Sequence, residues 1–272
     1  NDTNLFSLDE TKKLFSDFEP NIVINAAAKV GGILANNLRR TEFILNNLKI
    51  NINIIESISE YPETKLINLG SSCIYPLGAK MPIKESTLMT GKLEPTNSPY
   101  AMAKLAAIEM GDAISKQYGH KVLDLMPTNL YGPNDNFSED ESHVIPGLIS
   151  RMHRAKIEKK DKFEVWGTGM PLREFLFIDD LAGAIEFVIL NDIDPGLYNI
   201  GSSQEVTIKS LVESIKDVVK FPGEIVFDEA KPDGNPRKLL DSSKFTNFGW
   251  KPSIDLSGGL KITYDWFLKN RA

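Results

Sequence analysis

Short apolar runs alternate along the chain with stretches that carry apolar residues at helical spacing. Residues 21–25 (NIVIN), 65–69 (KLINL), 121–126 (KVLDLM) and 174–178 (EFLFI) read as strands. Runs this short and this continuously apolar suit strands covered on both faces of a parallel sheet. Between them, residues 8–18, 41–61, 100–118 and 181–190 predict helices. Phe43, Ile44, Leu48, Ile52, Ile54 and Ile55 are the apolar positions of the second. Ser98-Pro99 is a start signal for the third, and Asp179 and Asp180 are capping candidates for the fourth. This alternation predicts a doubly wound parallel sheet of α/β type, Rossmann-like in layout. The second half differs. Its loops are richer in Gly and Pro, and its elements are a helix over 207–219, a strand over 224–227 and a closing helix over 256–268. They predict a smaller α+β lobe.

Composition narrows the picture. Of 272 residues, 42% are hydrophobic and 25% charged, with a net charge of −6, as in ordinary globular chains. The acidic balance argues against nucleic acid or an anionic membrane as the main partner. The lone cysteine, Cys73, has no internal disulfide partner, and no apolar run is long enough to span a membrane, so a cytoplasmic location is expected. The N-terminus Asn1-Asp2-Thr3-Asn4 lacks an initiator Met and does not read as a signal peptide, so a fragment or processed form is expected. No G-x-G-x-x-G occurs: Leu172 stands where Gly167-Thr168-Gly169 would need its third glycine. A dinucleotide site of the usual kind therefore requires a further β-α-β unit, and without one apolar sheet surface is expected to lie open.

The strongest local signal is Tyr100-Ala101-Met102-Ala103-Lys104, a Y-x-x-x-K on a predicted helix. Residues four apart share a helix face, and an ammonium beside a phenol favours the phenolate. Such a tyrosine exchanges a proton with a carbonyl or alcohol oxygen. The plain alternative is aromatic packing with a solvated amine. Gly70-Ser71-Ser72-Cys73-Ile74-Tyr75-Pro76 follows a predicted strand, at the end where open α/β sheets bind ligands. A serine hydroxyl there can hydrogen-bond the oxygen that the tyrosine protonates. Loop and cap chemistry for the serines, and simple packing for Cys73, are the alternatives. No His, Cys and carboxylate set has metal-ligand spacing, so no metal is expected. His120 and His153 read as surface residues.

Taken together, GSSCIYP, PTNSPYAMAK, MPTNLYGPNDNF, SHVIP and WGTGMPLREFLFIDD resemble the extended short-chain dehydrogenases/reductases. More narrowly they resemble the GDP-L-fucose synthase branch, over essentially the whole chain. The resemblance implies epimerisation of GDP-4-keto-6-deoxy-mannose at C3 and C5, then reduction of its C4 ketone by NADPH. It implies Cys73 as base, His143 as acid, Ser71 as the C4-oxygen ligand, Tyr100 as proton donor and Lys104 as the group that lowers the tyrosine pKa and holds the nicotinamide ribose. Leu69, Gly70, Ser71, Ser72, Lys104, Pro127, Thr128, Asn129, Leu130 and His143 would line the cofactor. Arg151, Trp166, Arg173, Asp233 and Lys238 would meet the GDP-sugar, with an arginine fork suited to phosphate oxygens.

The same resemblance implies an NADP-binding domain over residues 1–142 and 174–201 and a substrate lobe over 143–173 and 202–272. A homodimer through the two long helices, residues 41–61 and 100–118, is expected by analogy. NADP comes from the family alone, since the residues that distinguish it from NAD are expected in the further β-α-β unit rather than in this sequence. Two other readings stay open: a related GDP-deoxysugar enzyme such as a GDP-L-colitose synthase, and a non-catalytic homologue that keeps the fold.

Overall fold

The computed structural model describes residues 3–138, 141–231 and 233–271. The chain divides into two compact units. The first comprises residues 1–79, 85–127 and 188–199, and the second 80–84, 128–187 and 200–272.

In the first unit, strands Ile22–Asn25, Lys65–Leu69, Val122–Pro127 and Gly196–Ile200 form one sheet in that order. The first three run parallel, with Ile24 level with Ile67 and Ile67 level with Leu123. Every side chain of Val122–Pro127 is buried, which fits a run that is apolar apart from Asp124. Helices Leu8–Phe18, Arg40–Ile58 and Ser98–Tyr118 provide the crossover layer. Phe15, Ile50, Ile54, Ile58 and Ile114 pack on Leu66 and Val122. Strand Ile22–Asn25 is the edge of this sheet, and Ile24 on it is 45% exposed.

The helices start and stop where side chains satisfy their free backbone groups. Ser7 accepts from Glu10 N at the head of Leu8–Phe18. Gly119, at φ 81°, closes Ser98–Tyr118 in the left-handed conformation that glycine adopts without cost. The sequence expectations agree with these elements to within a few residues. Asp179 and Asp180 are the exception: helix Ile178–Leu190 begins before them, so both lie in its first turn rather than capping it. Asp180 instead accepts from Ser253 N at 2.7 Å and Ile254 N at 3.2 Å, tying the 253–254 loop down.

In the second unit, Leu172–Phe177 is flanked by Asn129–Tyr131 and Arg237–Lys238, both parallel to it, and by Glu205–Thr207, antiparallel. Lys162–Trp166 pairs with Glu224–Asp228 in a separate parallel ribbon. Helices Val144–Ile157, Ile208–Val219 and Leu256–Asn270 close a core built on Ile145, Leu148, Met152, Leu211, Ile215 and Phe267. This unit mixes helices with short strands, parallel and antiparallel, and takes in residues 128–142 and 174–187 beside those expected of the smaller lobe. Both units together are the α/β fold expected from the sequence. No helix among the described residues is long and apolar enough to cross a membrane.

Candidate active site

The first unit brings Ser71, Cys73, Tyr100 and Lys104 together. Tyr100 and Lys104 sit in the first two turns of helix Ser98–Tyr118, and the loop before that helix fixes where they point. The Glu94 carboxylate accepts from Thr96 N at 3.0 Å and Asn97 N at 3.1 Å, and from the Thr96 hydroxyl. Arg40 reaches from its own helix to donate to Pro95 O at 2.8 Å and to Ser98 Oγ at 3.2 Å. Phe43 meets the Tyr100 ring edge-on at 6.3 Å between centroids. A phenol held at its ring and at its helix start is pre-aimed.

Strand Lys65–Leu69 ends at Gly70, where a Cβ would meet the end of the Met126 side chain, so a larger residue would require that methionine to move. A tight turn Ser72–Ile74 follows, and the Ser71 hydroxyl accepts from Cys73 N. Lys104 is buried, and its ammonium donates to Leu69 O at 2.7 Å. Burial pulls the Lys104 pKa down to about 8, while the charges of Cys73 and Asp124 oppose the fall. Burial pushes the Tyr100 phenol well above its ordinary value; Cys73 adds to this, and the hydrogen bond with Ser71 works against it. The sequence reading expects Lys104 to lower that pKa. The ammonium lies 6.0 Å from the ring centroid, and burial is the largest influence on the phenol.

A second polar feature lies under this group. Asn25, Asn68 and Asp124 are register partners on three neighbouring strands and all are buried. Asn25 Nδ2 donates to Asn68 Oδ1 at 3.0 Å, and Asn68 Nδ2 donates to Asp124 Oδ1 at 2.8 Å. Asn25 Nδ2 also reaches Asn51 Oδ1 at 3.3 Å, and Asn51 donates to Ala103 O, the residue before Lys104. Burial raises the Asp124 pKa to about 7, against the Asn68 hydrogen bond and the Lys104 charge. Sequence reasoning passed over this row. Its signal is present: a polar residue, Asn25, Asn68 or Asp124, follows two or three apolar residues in each of the three runs.

The second unit carries the other candidates. His143 is the N-cap residue of helix Val144–Ile157, is exposed, and makes no side-chain capping bond. Two turns on, the Arg151 guanidinium lies 5.4 Å over the Phe163 ring. Arg173 and Lys238 are register partners on adjacent parallel strands, which puts two cations side by side. Asp233 acts on Arg173 by charge and accepts from Thr168 N at 2.7 Å and Thr168 Oγ1 at 2.8 Å. Burial lowers the Arg173 pKa against that charge. Trp166 is 65% exposed, with the Lys231 ammonium 5.6 Å over its ring. Arg173, Lys238, Asp233 and Trp166 thus gather around neighbouring strand ends.

Of the candidate cofactor residues, Leu69–Ser72 and Pro127 finish strands in the first unit. Thr128, Asn129 and Leu130 fall in the second. There Thr128 Oγ1 and Asn129 Nδ2 both donate to Glu174 O, at 3.3 and 2.8 Å. Of the two remaining histidines, His120 is not a surface residue and His153 is half-buried. His120 is fully buried, with neither ring nitrogen hydrogen-bonded, because the helix-ending turn at Gly119 folds it inward. His153 lies against Phe267 and bonds Tyr264 Oη at 2.9 Å.

A parallel sheet whose strand ends carry a Ser–Tyr–Lys group defines a nucleotide-dependent epimerase, dehydratase or reductase. The chain belongs to the NAD dependent epimerase/dehydratase family, which it matches over residues 1–201. It is 53% identical to GDP-L-fucose synthase 1 of Arabidopsis thaliana over 263 residues, 96% of this chain and 81% of that protein. It is 45% identical to the GDP-L-fucose synthase of Escherichia coli (strain K12) over 277 residues, 98% of this chain and 86% of that protein. A crystal structure of a GDP-L-fucose synthetase from Naegleria fowleri bound to NADP superposes with a TM-score of 0.90 at 31% identity, covering 98% of this chain and 82% of that one.

The Asp124 carboxyl has a stability consequence. Its folded-state value of about 7 lies above its ordinary 3.8, so the folded protein binds the extra proton and the ionised group costs stability above pH 7. Asp124→Asn keeps an acceptor for Asn68 and removes that cost. The variant is expected to be more stable than wild type by on the order of 2–4 kcal/mol near pH 8, with the gain disappearing as pH falls toward about 4. Urea unfolding at several pH values measures it; a gain that does not depend on pH contradicts the assignment.

Proposed function

We propose that this chain converts GDP-4-keto-6-deoxy-D-mannose to GDP-L-fucose, by epimerisation at C3 and C5 followed by NADPH-dependent reduction at C4. The observation that carries the reading is the convergence of Ser71, Cys73, Tyr100 and Lys104 at the end of strand Lys65–Leu69. Cys73 acts by charge on both Tyr100 and Lys104, and Ser71 is hydrogen-bonded to Tyr100. Similarity to GDP-L-fucose synthases supports the substrate and the product.

The roles follow from the chemistry of the groups. The C4 ketone acidifies the C–H bonds at C3 and C5, so one base and one acid suffice to invert each centre. Cys73, as thiolate, removes the proton, and His143 returns one. Ser71 donates to the C4 oxygen and Tyr100 delivers its proton there as the carbonyl becomes an alcohol. A phenol held mostly protonated by burial suits a donor in this step. Bound NADPH supplies the hydride. Lys104 fits a cofactor ribose, because an ammonium has three protons and one of them is committed to Leu69 O. Leu69–Ser72, Pro127 and Thr128–Leu130 line the cofactor in this reading. Arg151, Arg173 and Lys238 meet the diphosphate, and Trp166 and Asp233 meet the sugar nucleotide. Residues 1–142 and 174–201 then serve the cofactor, and 143–173 and 202–272 the sugar nucleotide.

The same reading includes a cytoplasmic homodimer paired through helices Arg40–Ile58 and Ser98–Tyr118. Leu45 and Ile52 on the first and Met102 on the second are exposed apolar side chains that pairing would cover. Sedimentation equilibrium is expected to return twice the chain mass, and a monomer at micromolar concentration contradicts the dimer.

The reaction is tested by supplying GDP-4-keto-6-deoxy-mannose and NADPH, following absorbance loss and identifying the sugar by NMR. GDP-L-fucose is the expected product; a sugar inverted at C5 alone, or no oxidation by a folded protein that binds GDP, overturns the assignment. In Cys73→Ala, deuterium wash-in at C3 and C5 should fall by about a hundredfold or more. Wash-in at the wild-type rate would make Cys73 a packing residue.

A further inference from the structure

The polar row beneath the site contains one group that its hydrogen bonds do not require to be charged. Each amide donates toward the next residue: Asn25 to Asn68, and Asn68 to Asp124. The row needs an acceptor at position 124, and the carbonyl of an asparagine would serve as well. The sequence places a carboxylate there, buried, at a cost in stability. A group that costs stability without being needed for the local bonding points to function. The cation that acts on Asp124 is Lys104.

The layout supports this pairing. Lys104 and Gly111 are two turns apart on one face of helix Ser98–Tyr118. At Gly111 that face presses on strand Val122–Pro127, where a Cβ would lie 3.9 Å from Asp124 Oδ2. Lys104 Nζ bonds Leu69 O, and Leu69 pairs with Leu125, the neighbour of Asp124. The second arm of the row ends on Ala103 O, one residue from Lys104. Two hydrogen-bonded arms from one asparagine therefore end on Asp124 and on the residue before the lysine.

We propose that Asp124 is a positioning residue whose carboxylate keeps the buried Lys104 ammonium protonated while the Asn25–Asn68–Asn51 row holds both in place. The proposal rests on the reading of Lys104 as a residue of the reaction. It explains how an amine enclosed in protein remains a cation for the phenol and the ribose. Cys73 contributes in the same sense, as a thiolate, but a base that changes its protonation during the reaction is an intermittent counter-charge. Asp124 is a standing one. The other groups facing the pair are the Tyr100 phenol on the helix and Asp112, whose carboxylate raises the Asp124 pKa and is itself paired with Lys116 at 2.6 Å. Helix Arg40–Ile58 presents the uncharged Asn51.

The consequence is a window of pH. Below about 7 the carboxylate takes up a proton, and above about 8 the ammonium loses one, so the charged pair persists between. Removing the carboxylate lowers the upper limit and leaves the row intact.

The test is Asp124→Asn in the full chain, read first without cofactor. The Lys104 side-chain resonance, assigned by its loss in Lys104→Met, is followed against pH by carbon-13 NMR. The acid dissociation constant of Lys104 is expected to rise about tenfold in the variant, the size of one charge interaction at partly buried range. The pH profile of turnover should follow. The ratio of wild-type to variant kcat is expected to grow from near one at about pH 6.5 to about tenfold at about pH 9, with KM for the keto sugar unchanged. A Lys104 titration at the same pH in both proteins overturns the proposal. Its failure is separable from that of the reading beneath it: Lys104→Met turning over at the wild-type rate removes Lys104 from the reaction whatever the NMR shows. A dead Lys104→Met beside an unshifted titration in Asp124→Asn overturns the coupling alone.

Discussion

The chemistry of this protein hangs on one hydrogen bond, from a buried lysine ammonium to the last carbonyl of a parallel strand. Lys104 Nζ donates to Leu69 O at 2.7 Å, and that bond ties helix Ser98–Tyr118 to the end of strand Lys65–Leu69. Everything around it serves two needs: bringing the helix close enough and offsetting the loss of water around the charge. Gly111 is the close approach, Glu94 and Arg40 the anchors of the helix start, and Asp124 the opposite charge. The reacting groups Ser71, Cys73 and Tyr100 then stand on elements that the bond has already placed.

The two units handle charge differently. The first encloses its ionisable groups, so that burial dominates the pKa values of Tyr100, Lys104 and Asp124. Enclosure brings Lys104 and Asp124 within reach of a change of state near neutral pH and keeps the Tyr100 phenol protonated. The second keeps its cations at strand ends, with Arg173 beside Lys238 and Asp233 nearby, an arrangement for binding a polyanion rather than for moving a proton.

Much of this was legible in the residues. The continuous runs KLINL and KVLDLM announce strands buried on both faces, and Ser98-Pro99 announces the helix that presents Tyr100 and Lys104. What spacing does not reveal is how far a group is enclosed. The phenol pKa of Tyr100 depends on desolvation as well as on the lysine four residues on. His120 looks like a surface residue in its local sequence and is buried at the Gly119 turn, while His153 is half-buried against Phe267. The row Asn25–Asn68–Asp124 needed the register of three strands, which emerges only when they pair.

The account divides the reaction between a thiolate that moves protons on carbon and a phenol that gives one to oxygen. The most direct test is Tyr100→Phe incubated in heavy water with GDP-4-keto-6-deoxy-mannose and NADPH, with the sugar read by NMR. Deuterium accumulating at C3 and C5 of a sugar that stays unreduced is the predicted result. Reduction at the wild-type rate, or the loss of exchange together with reduction in a folded variant, would contradict the division.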